Sequence, residues 1–267
     1  MAGFAANSLL CRGALRPGLA DAATFTSVRL VSGAAVLLLL ARTRPRELFG
    51  FGSWSSALAL FVYAAAFSFA YLRIPAGAGA LLMFGSVQTT MIAWALVTGE
   101  RPPVTEWIGI ALAVAGLVAL VWTRLGATDL LFAAIMIVAG VAWGTYSLRG
   151  RGASRPLPTT AANFARAVAF TVPLSLVAPG PVHVTARGVL LACASGAVAS
   201  GLGYTVWYAA LPGLTATRAA VVQLSAPVLT ALGGVLLLGE TVTLRLVAAG
   251  AAILGGVALA VLGRRAR

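Results

Sequence analysis

Apolar runs of membrane-crossing length alternate with short connections along the chain, and the pattern occurs twice. One copy reads ALLMFGSVQTTMIAWALVTGERPPVTEWIGIALAVAGLVAL, from Ala80 to Leu120; the other reads AVVQLSAPVLTALGGVLLLGETVTLRLVAAGAAILGGVALAV, from Ala220 to Val261. Each is an apolar run closed by Gly-Glu, then a polar turn, then a second apolar, Gly-containing run. Gly99-Glu100 matches Gly239-Glu240 and Gly116 matches Gly256, at an offset of 140. Further upstream an offset of 137 pairs Ala5 with Ala142, Arg12 with Arg149, Arg29 with Arg166, Tyr71 with Tyr208 and Pro75 with Pro212. A period of half the chain predicts one module made twice rather than a solenoid.

A spanning helix needs about 20 mostly apolar residues. Ten segments fit: 2–15, 24–41, 53–72, 76–98, 104–123, 130–149, 159–178, 186–209, 215–238 and 243–263. The first is short, and alignment with its complete partner puts its missing start about seven residues before Met1. No basic leader precedes it and no A-x-A site follows, so a shortened start is favoured over a signal peptide. The halves, 1–124 and 130–263, hold five spans each. An odd number makes the second half enter from the opposite side, so the predicted fold is all-α, with ten transmembrane helices as two inverted five-helix repeats. Inverted halves can exchange roles around one midplane site, which is a transporter architecture.

Composition agrees. Sixty per cent of residues are hydrophobic, 9% are charged and mean hydropathy is +0.98, against about 25% charge in soluble domains. The net charge of +13 does not imply nucleic acid, because the arginines punctuate the apolar runs as loop residues do. Connections after spans 2, 4, 6 and 8 and the C-terminal tail hold eleven arginines, the other side six. The positive-inside rule therefore predicts both termini in the cytoplasm. Cys11 and Cys193 read as apolar-packed thiols, and the lone His183 lies in a loop. There is no metal-ligand cluster, phosphate loop or nucleophile elbow, so neither a metal, another cofactor nor an enzyme is expected. The expected partners are a small-molecule substrate and the bilayer, with the chain a monomer or homodimer.

The starts AANSLLCR and AWGTYSLRGR of the halves, the TSVRL and NFARA openings of the second helices, and the two Gly-Glu ends with Gly-rich fifth helices recur in the same order in both halves. In this ordering the chain resembles the drug/metabolite transporter superfamily, specifically the EamA-type transporters with ten helices. The family commonly carries a proline in the fourth helix of each half; Pro227 keeps it, and Val87 stands at the matching place. The resemblance implies export or exchange of small metabolites, amino acids or drug-like compounds across an inner (plasma) membrane. The alternative reading is a non-transporting membrane scaffold, in which the polar and aromatic residues inside spans only pack.

Candidate site residues follow from polar and aromatic groups inside the spans. Tyr63 and Phe67 share a face with Tyr71, and Tyr204 and Trp207 lie near Tyr208 in the second half. Tyr71 and Tyr208, at span ends, suit an interfacial belt. Trp143 and Tyr146 share a face, grouped here with Asn7. Asn7, Gln88, Asn163 and Gln223 are amides in hydrocarbon, which must face the bundle or a wet cavity. Gln88 and Gln223 are not related by the repeat, so a site lined by both is asymmetric. Arg29 and Arg166 allow two readings: snorkelling or helix-end pairing, or capture of a substrate carboxylate. Glu100 and Glu240, at span ends on opposite faces, read as helix-end or gate residues. No carboxylate lies mid-span, so transport is by facilitated diffusion or exchange, or couples to protons only through those two glutamates. Small-residue rows at Ala192, Gly196, Ser200 and at Ala248, Ala252, Gly256 predict close helix seams.

Overall fold

In lipid every backbone polar group must be satisfied within the chain, so apolar runs of this length become helices. The computed structural model describes residues 1–42, 45–48, 50–98, 104–122, 127–150, 153–178, 180–210, 223 and 225–262. The helices are α1 (Ala2–Leu15), α2 (Ala22–Ala41), the one-turn α3 (Pro45–Leu48), α4 (Trp54–Ala70), α5 (Ala76–Val97), α6 (Val104–Trp122) and α7 (Ala127–Gly150). They continue as α8 (Pro156–Ala169), α9 (Thr171–Val177), α10 (Ala186–Cys193), a π-helical stretch Ala194–Leu202, α11 (Gly203–Ala210), α12 (Ser225–Leu238) and α13 (Leu244–Leu262). With α3 set aside, α8–α9 as span 7 and α10–π–α11 as span 8, these make ten spans. Four of the described segments are long and apolar enough to cross a membrane unaided: Ala22–Ala41, Asp129–Gly150, Pro156–Val177 and Ala186–Trp207.

Local chemistry sets the boundaries. The Asp21 carboxylate accepts from the Thr24 N–H at 2.8 Å and starts α2; Ser53 and Thr185 cap α4 and α10 in the same way. Span 7 breaks between Ala169 and Thr171 because Pro173 has no N–H to give the residue-169 carbonyl. The π-helical stretch in span 8 has no counterpart in the sequence expectations. In the fourth spans α5 runs through Val87, and Pro227 lies within span 9, where residue 223 is also helical.

The packing has the order an inverted repeat requires. Exchanging the halves turns span 1 into 6, 2 into 7, 3 into 8, 4 into 9 and 5 into 10. Span 3 packs on span 6 as span 1 packs on span 8, while spans 2 and 7, 4 and 9, and 5 and 10 pair with each other across the axis. Loops after odd-numbered spans meet on one face, here the odd face. The 16–21 loop joins the 180–185 loop through an antiparallel Ala20–Val184 bridge, Asp21 N–H to His183 O at 2.8 Å, and Thr185 N–H to Leu19 O at 2.8 Å. Loops after even-numbered spans meet on the opposite, even face, where Asn163 Oδ1 accepts from Ser53 N–H at 3.0 Å and Arg149 donates to the Ser55 and Ser56 hydroxyls.

Tyr71 corrects the belt expectation. It is fully buried, packs edge-on to Phe67 at 4.7 Å and donates its hydroxyl to Ala76 O at 3.3 Å. The chain turns back into α5 just after it, so this span end is covered by protein. The side chain of Tyr208 lies outside the described residues.

Two seams are set by glycine. Gly256 lies against the backbone of Gly109 and Ala113, and Gly116 against Ala252 and Ile253, which draws α6 and α13 together. A Cβ on Gly196 would overlap the Arg29 carbonyl oxygen and the Ser32 hydroxyl, and one on Gly33 would meet Phe164. Overpacking of this kind typically costs about 1–3 kcal/mol. Gly196→Ala is therefore expected to lower the thermal melting point of the detergent-purified protein, with Gly255→Ala, which meets nothing within 4 Å, as the tolerated control. Equal melting of the two variants would show that α2 and span 8 can separate without cost.

Candidate functional site

The glycine contact fixes where α2 points its polar residue. Arg29 is the eighth of twenty residues in α2 and is 1% exposed. Its Nη2 donates to the Tyr63 hydroxyl at 2.9 Å, and its guanidinium lies over the Tyr63 ring at 5.1 Å and the Phe67 ring at 5.0 Å. Asn7 Nδ2 donates to the same hydroxyl at 3.2 Å, and the hydroxyl of Ser195, on the π-helical stretch, donates to Asn7 Oδ1. A polar chain thus runs from span 2 through spans 3 and 1 to span 8.

Around it lies a knot of rings. Trp143 is 4.8 Å from Tyr63, 5.1 Å from Tyr204 and 5.6 Å from Tyr146, measured between centroids. Phe67 is 5.5 Å from Tyr63. Phe4 touches Trp143, Tyr204, Trp207 and Phe84, at 5.7–6.4 Å. Such offset and edge-on pairs contribute about 0.5–1.5 kcal/mol each beyond area burial. Of the residues expected at a cavity, Asn7, Tyr63, Phe67, Trp143, Tyr146, Tyr204 and Trp207 are brought together from both halves. Gln88 is buried in α5 and Gln223 is half-buried; neither is among the knot's ring and hydrogen-bond contacts. Phe4 and Ser195 were missed. Phe4 could have been found from its i, i+3 spacing to Asn7; no pattern in the sequence marks Ser195.

An open cavity lies elsewhere. A groove of about 790 Å³ runs between α5, α6 and α7 toward the even face, lined by Thr89, Thr90, Trp94, Val114, Ile137 and Val141 among others. Its threonines donate to carbonyls four residues back in their own helices, so the wall presents methyl groups. The knot itself is closed.

Several charged residues near the faces have protein partners. Glu240 accepts from the Ala76 N–H at 2.8 and 3.0 Å, capping α5, and pairs with Arg12 at 3.4 Å. Arg12 also donates to Tyr71 O and Leu72 O, which ties spans 1, 3, 4 and 9 at the odd face. Arg166 donates to Phe51 O at 2.6 Å and Leu48 O at 3.4 Å. Asn163 binds the Ser53 backbone, an interhelical tie. Glu100 lies outside the described residues.

The EamA-like transporter family model matches residues 130–262. An uncharacterized protein of Pseudomonas aeruginosa is 50% identical over all of this chain and 94% of its own length. The "Probable amino-acid metabolite efflux pump" of Salmonella typhimurium is 26% identical over 73% of this chain and 70% of its own. The threonine/homoserine exporter RhtA of the same species is 30% identical over 64% of this chain and 57% of its own. The chain belongs to the EamA-like transporter family. A solved crystal structure, 24% identical, superposes over 98% of this EamA-like chain and 96% of its own with a TM-score of 0.66, which shows a shared fold. This EamA-like protein is thus an integral membrane transporter of small metabolites, with ten helices in inverted repeats.

The odd-face clasp of this transporter is sensitive to pH through Asp21. Burial alone would raise its carboxyl; backbone N–H groups of Thr24, His183 and Ala23 and the Thr24 side chain outweigh that and hold it below the usual carboxylate range. A depressed folded-state value stabilises the fold above the unfolded value of about 3.9, and that contribution is lost as pH falls through the lower, folded value. The melting-point gap between wild type and Asp21→Asn is expected to be constant near neutrality and to close in acid. A gap that stays constant into strong acid would show that Asp21 titrates alike in both states.

Proposed function

We propose that this protein is a secondary exporter or exchanger of a small amino-acid-like metabolite in the inner membrane, working by alternating access between its two halves, 1–124 and 130–263. One observation carries the reading: Asn7 of span 1 and Arg29 of span 2 meet on the Tyr63 hydroxyl of span 3, Trp143 of span 6 packs on the Tyr63 ring, and Tyr204 of span 8 packs on Trp143, so side chains of both halves converge at one place. Rings supply contact area for an organic solute while hydroxyl and amide groups orient it. The names of the amino-acid efflux relatives support the substrate class. The arginine bias between the faces supports both termini in the cytoplasm, with the even face inside.

In this scheme the closed knot is the occluded form of the site. The Arg12–Glu240 pair and the Asp21 clasp hold the odd, outer face shut, and rocking of one repeat against the other opens them in turn. The groove between α5, α6 and α7 offers an apolar approach from the inner half. Movement is by exchange or facilitated diffusion, or is coupled to protons through Glu240 and Glu100.

Reconstituted into liposomes, the protein is expected to show saturable flux of amino acids. Trp143→Ala removes contacts to Tyr63, Tyr146, Tyr204 and Phe4. Flux is expected to fall about tenfold, the equivalent of roughly 1.4 kcal/mol, while membrane abundance changes far less. Equal losses of flux and abundance would make Trp143 a packing residue. Absence of flux for any solute, from folded protein, would favour the scaffold reading.

A further inference from the structure

We infer that Arg29 is the substrate's anion receptor, so that the solute recognised at the knot carries a carboxylate; this rests on the transporter reading above. The repeat supplies the internal control. Arg29 and its mate Arg166 occupy equivalent places at an offset of 137. Arg166 spends its guanidinium on the Phe51 and Leu48 carbonyl oxygens. Arg29, more deeply buried, has its Nη2 on Tyr63, while its Nε and Nη1 have no hydrogen-bond partner among the described residues. A guanidinium carries five N–H donors, and those two nitrogens hold three of them. The unused donors lie in the closed core, where water does not reach them.

Among the described residues no carboxylate pairs with this guanidinium. The six acidic residues are Asp21, Glu47, Glu100, Glu106, Asp129 and Glu240, all at span ends or in connections. Asp21 is engaged with Thr24 and His183, and Glu240 with Arg12 and Ala76. A buried guanidinium stays charged, and the partner it lacks among the described residues is assigned here to an anion from outside the chain. Stacking on Tyr63 and Phe67 holds the guanidinium plane in place. Tyr63 takes one N–H of Nη2, and the other points to the opposite edge of the fork. One two-donor edge therefore remains whole, and that is the geometry a carboxylate accepts in a forked pair.

Ser200, on the stretch whose Gly196 abuts the Arg29 backbone, is a second buried group whose hydroxyl has no partner among the described residues. Long π-helical segments are rare and concentrate at functional sites.

The test compares neutral α-amino acids with their carboxamides on the full chain in liposomes, together with thermal melting of the detergent-purified protein. Wild type is expected to move the acid and to discriminate against the amide by at least about tenfold, as loss of one charge-assisted pair would give. Arg29→Gln is expected to lose most acid flux and its preference over the amide, Arg29→Lys to keep part of both, and Arg166→Gln to keep the preference. Melting separates a ligand role from a structural one. Without ligand, Arg29→Gln should melt at or above wild type, because it removes a buried charge that has no native counter-ion; added amino acid should stabilise wild type but not the variant. Equal flux of acid and amide by wild type, or a preference that survives Arg29→Gln, would overturn the inference while leaving the transporter reading intact. A sharp drop in melting point of ligand-free Arg29→Gln would also overturn it and make Arg29 structural. No flux of either compound, from protein that melts cooperatively, would overturn the transporter reading and this inference with it.

Discussion

The backbone contact between α2 and the π-helical stretch of span 8 is the constraint on which the centre of the protein depends. Gly196 has no side chain, so the Arg29 carbonyl can sit directly against it. Gly33 does the same for Phe164 one turn further along. With α2 held this close to the second half, the Arg29 side chain extends over Tyr63 and Phe67 rather than toward a membrane surface. A charge in this position costs several kcal/mol when it lacks a counter-ion. The fold tolerates that cost only because two aromatic faces and one phenol hydroxyl offset part of it.

Duplication supplied a symmetric frame, and single residues have broken the symmetry at the places that matter for chemistry. Arg12 forms an ion pair with Glu240 at the odd face, while its mate Arg149 settles on serine hydroxyls at the even face. Arg166 is spent on backbone carbonyls, while the Nε and Nη1 of its mate Arg29 have no partner among the described residues. Val87 stands in α5 at the place that Pro227 takes in span 9. Pseudo-symmetry gives both faces comparable loop ties, which suits halves that trade places. The asymmetric interior suits a solute that has two different ends.

Small residues and rings divide the work. Glycine and alanine set how near helices come, at the α6–α13 seam and at Gly196, because between helices in lipid close packing replaces the hydrophobic effect. Aromatic side chains fill the space left at the centre, where spans of both halves diverge. The same rings can part and re-pack without breaking backbone hydrogen bonds, which a moving interface requires.

The hydrophobic pattern alone determined the helical class, the number of spans and the inverted duplication, because span length and the parity of five are one-dimensional properties of the chain; the family was legible as a resemblance, in the order of the repeated motifs. It also marked Asn7, Tyr63, Trp143 and Tyr204, since polar and aromatic groups inside apolar runs are conspicuous. Three features were decided only by tertiary structure. Tyr71 is buried rather than at an interface, because the turn into α5 covers it. Phe4 and Ser195 join the central cluster through contacts between spans far apart in sequence. Arg29 and Arg166, at equivalent positions of the repeat, acquire different environments. Which donors are satisfied depends on what the other half brings alongside, and periodicity within one strand of sequence carries no record of that.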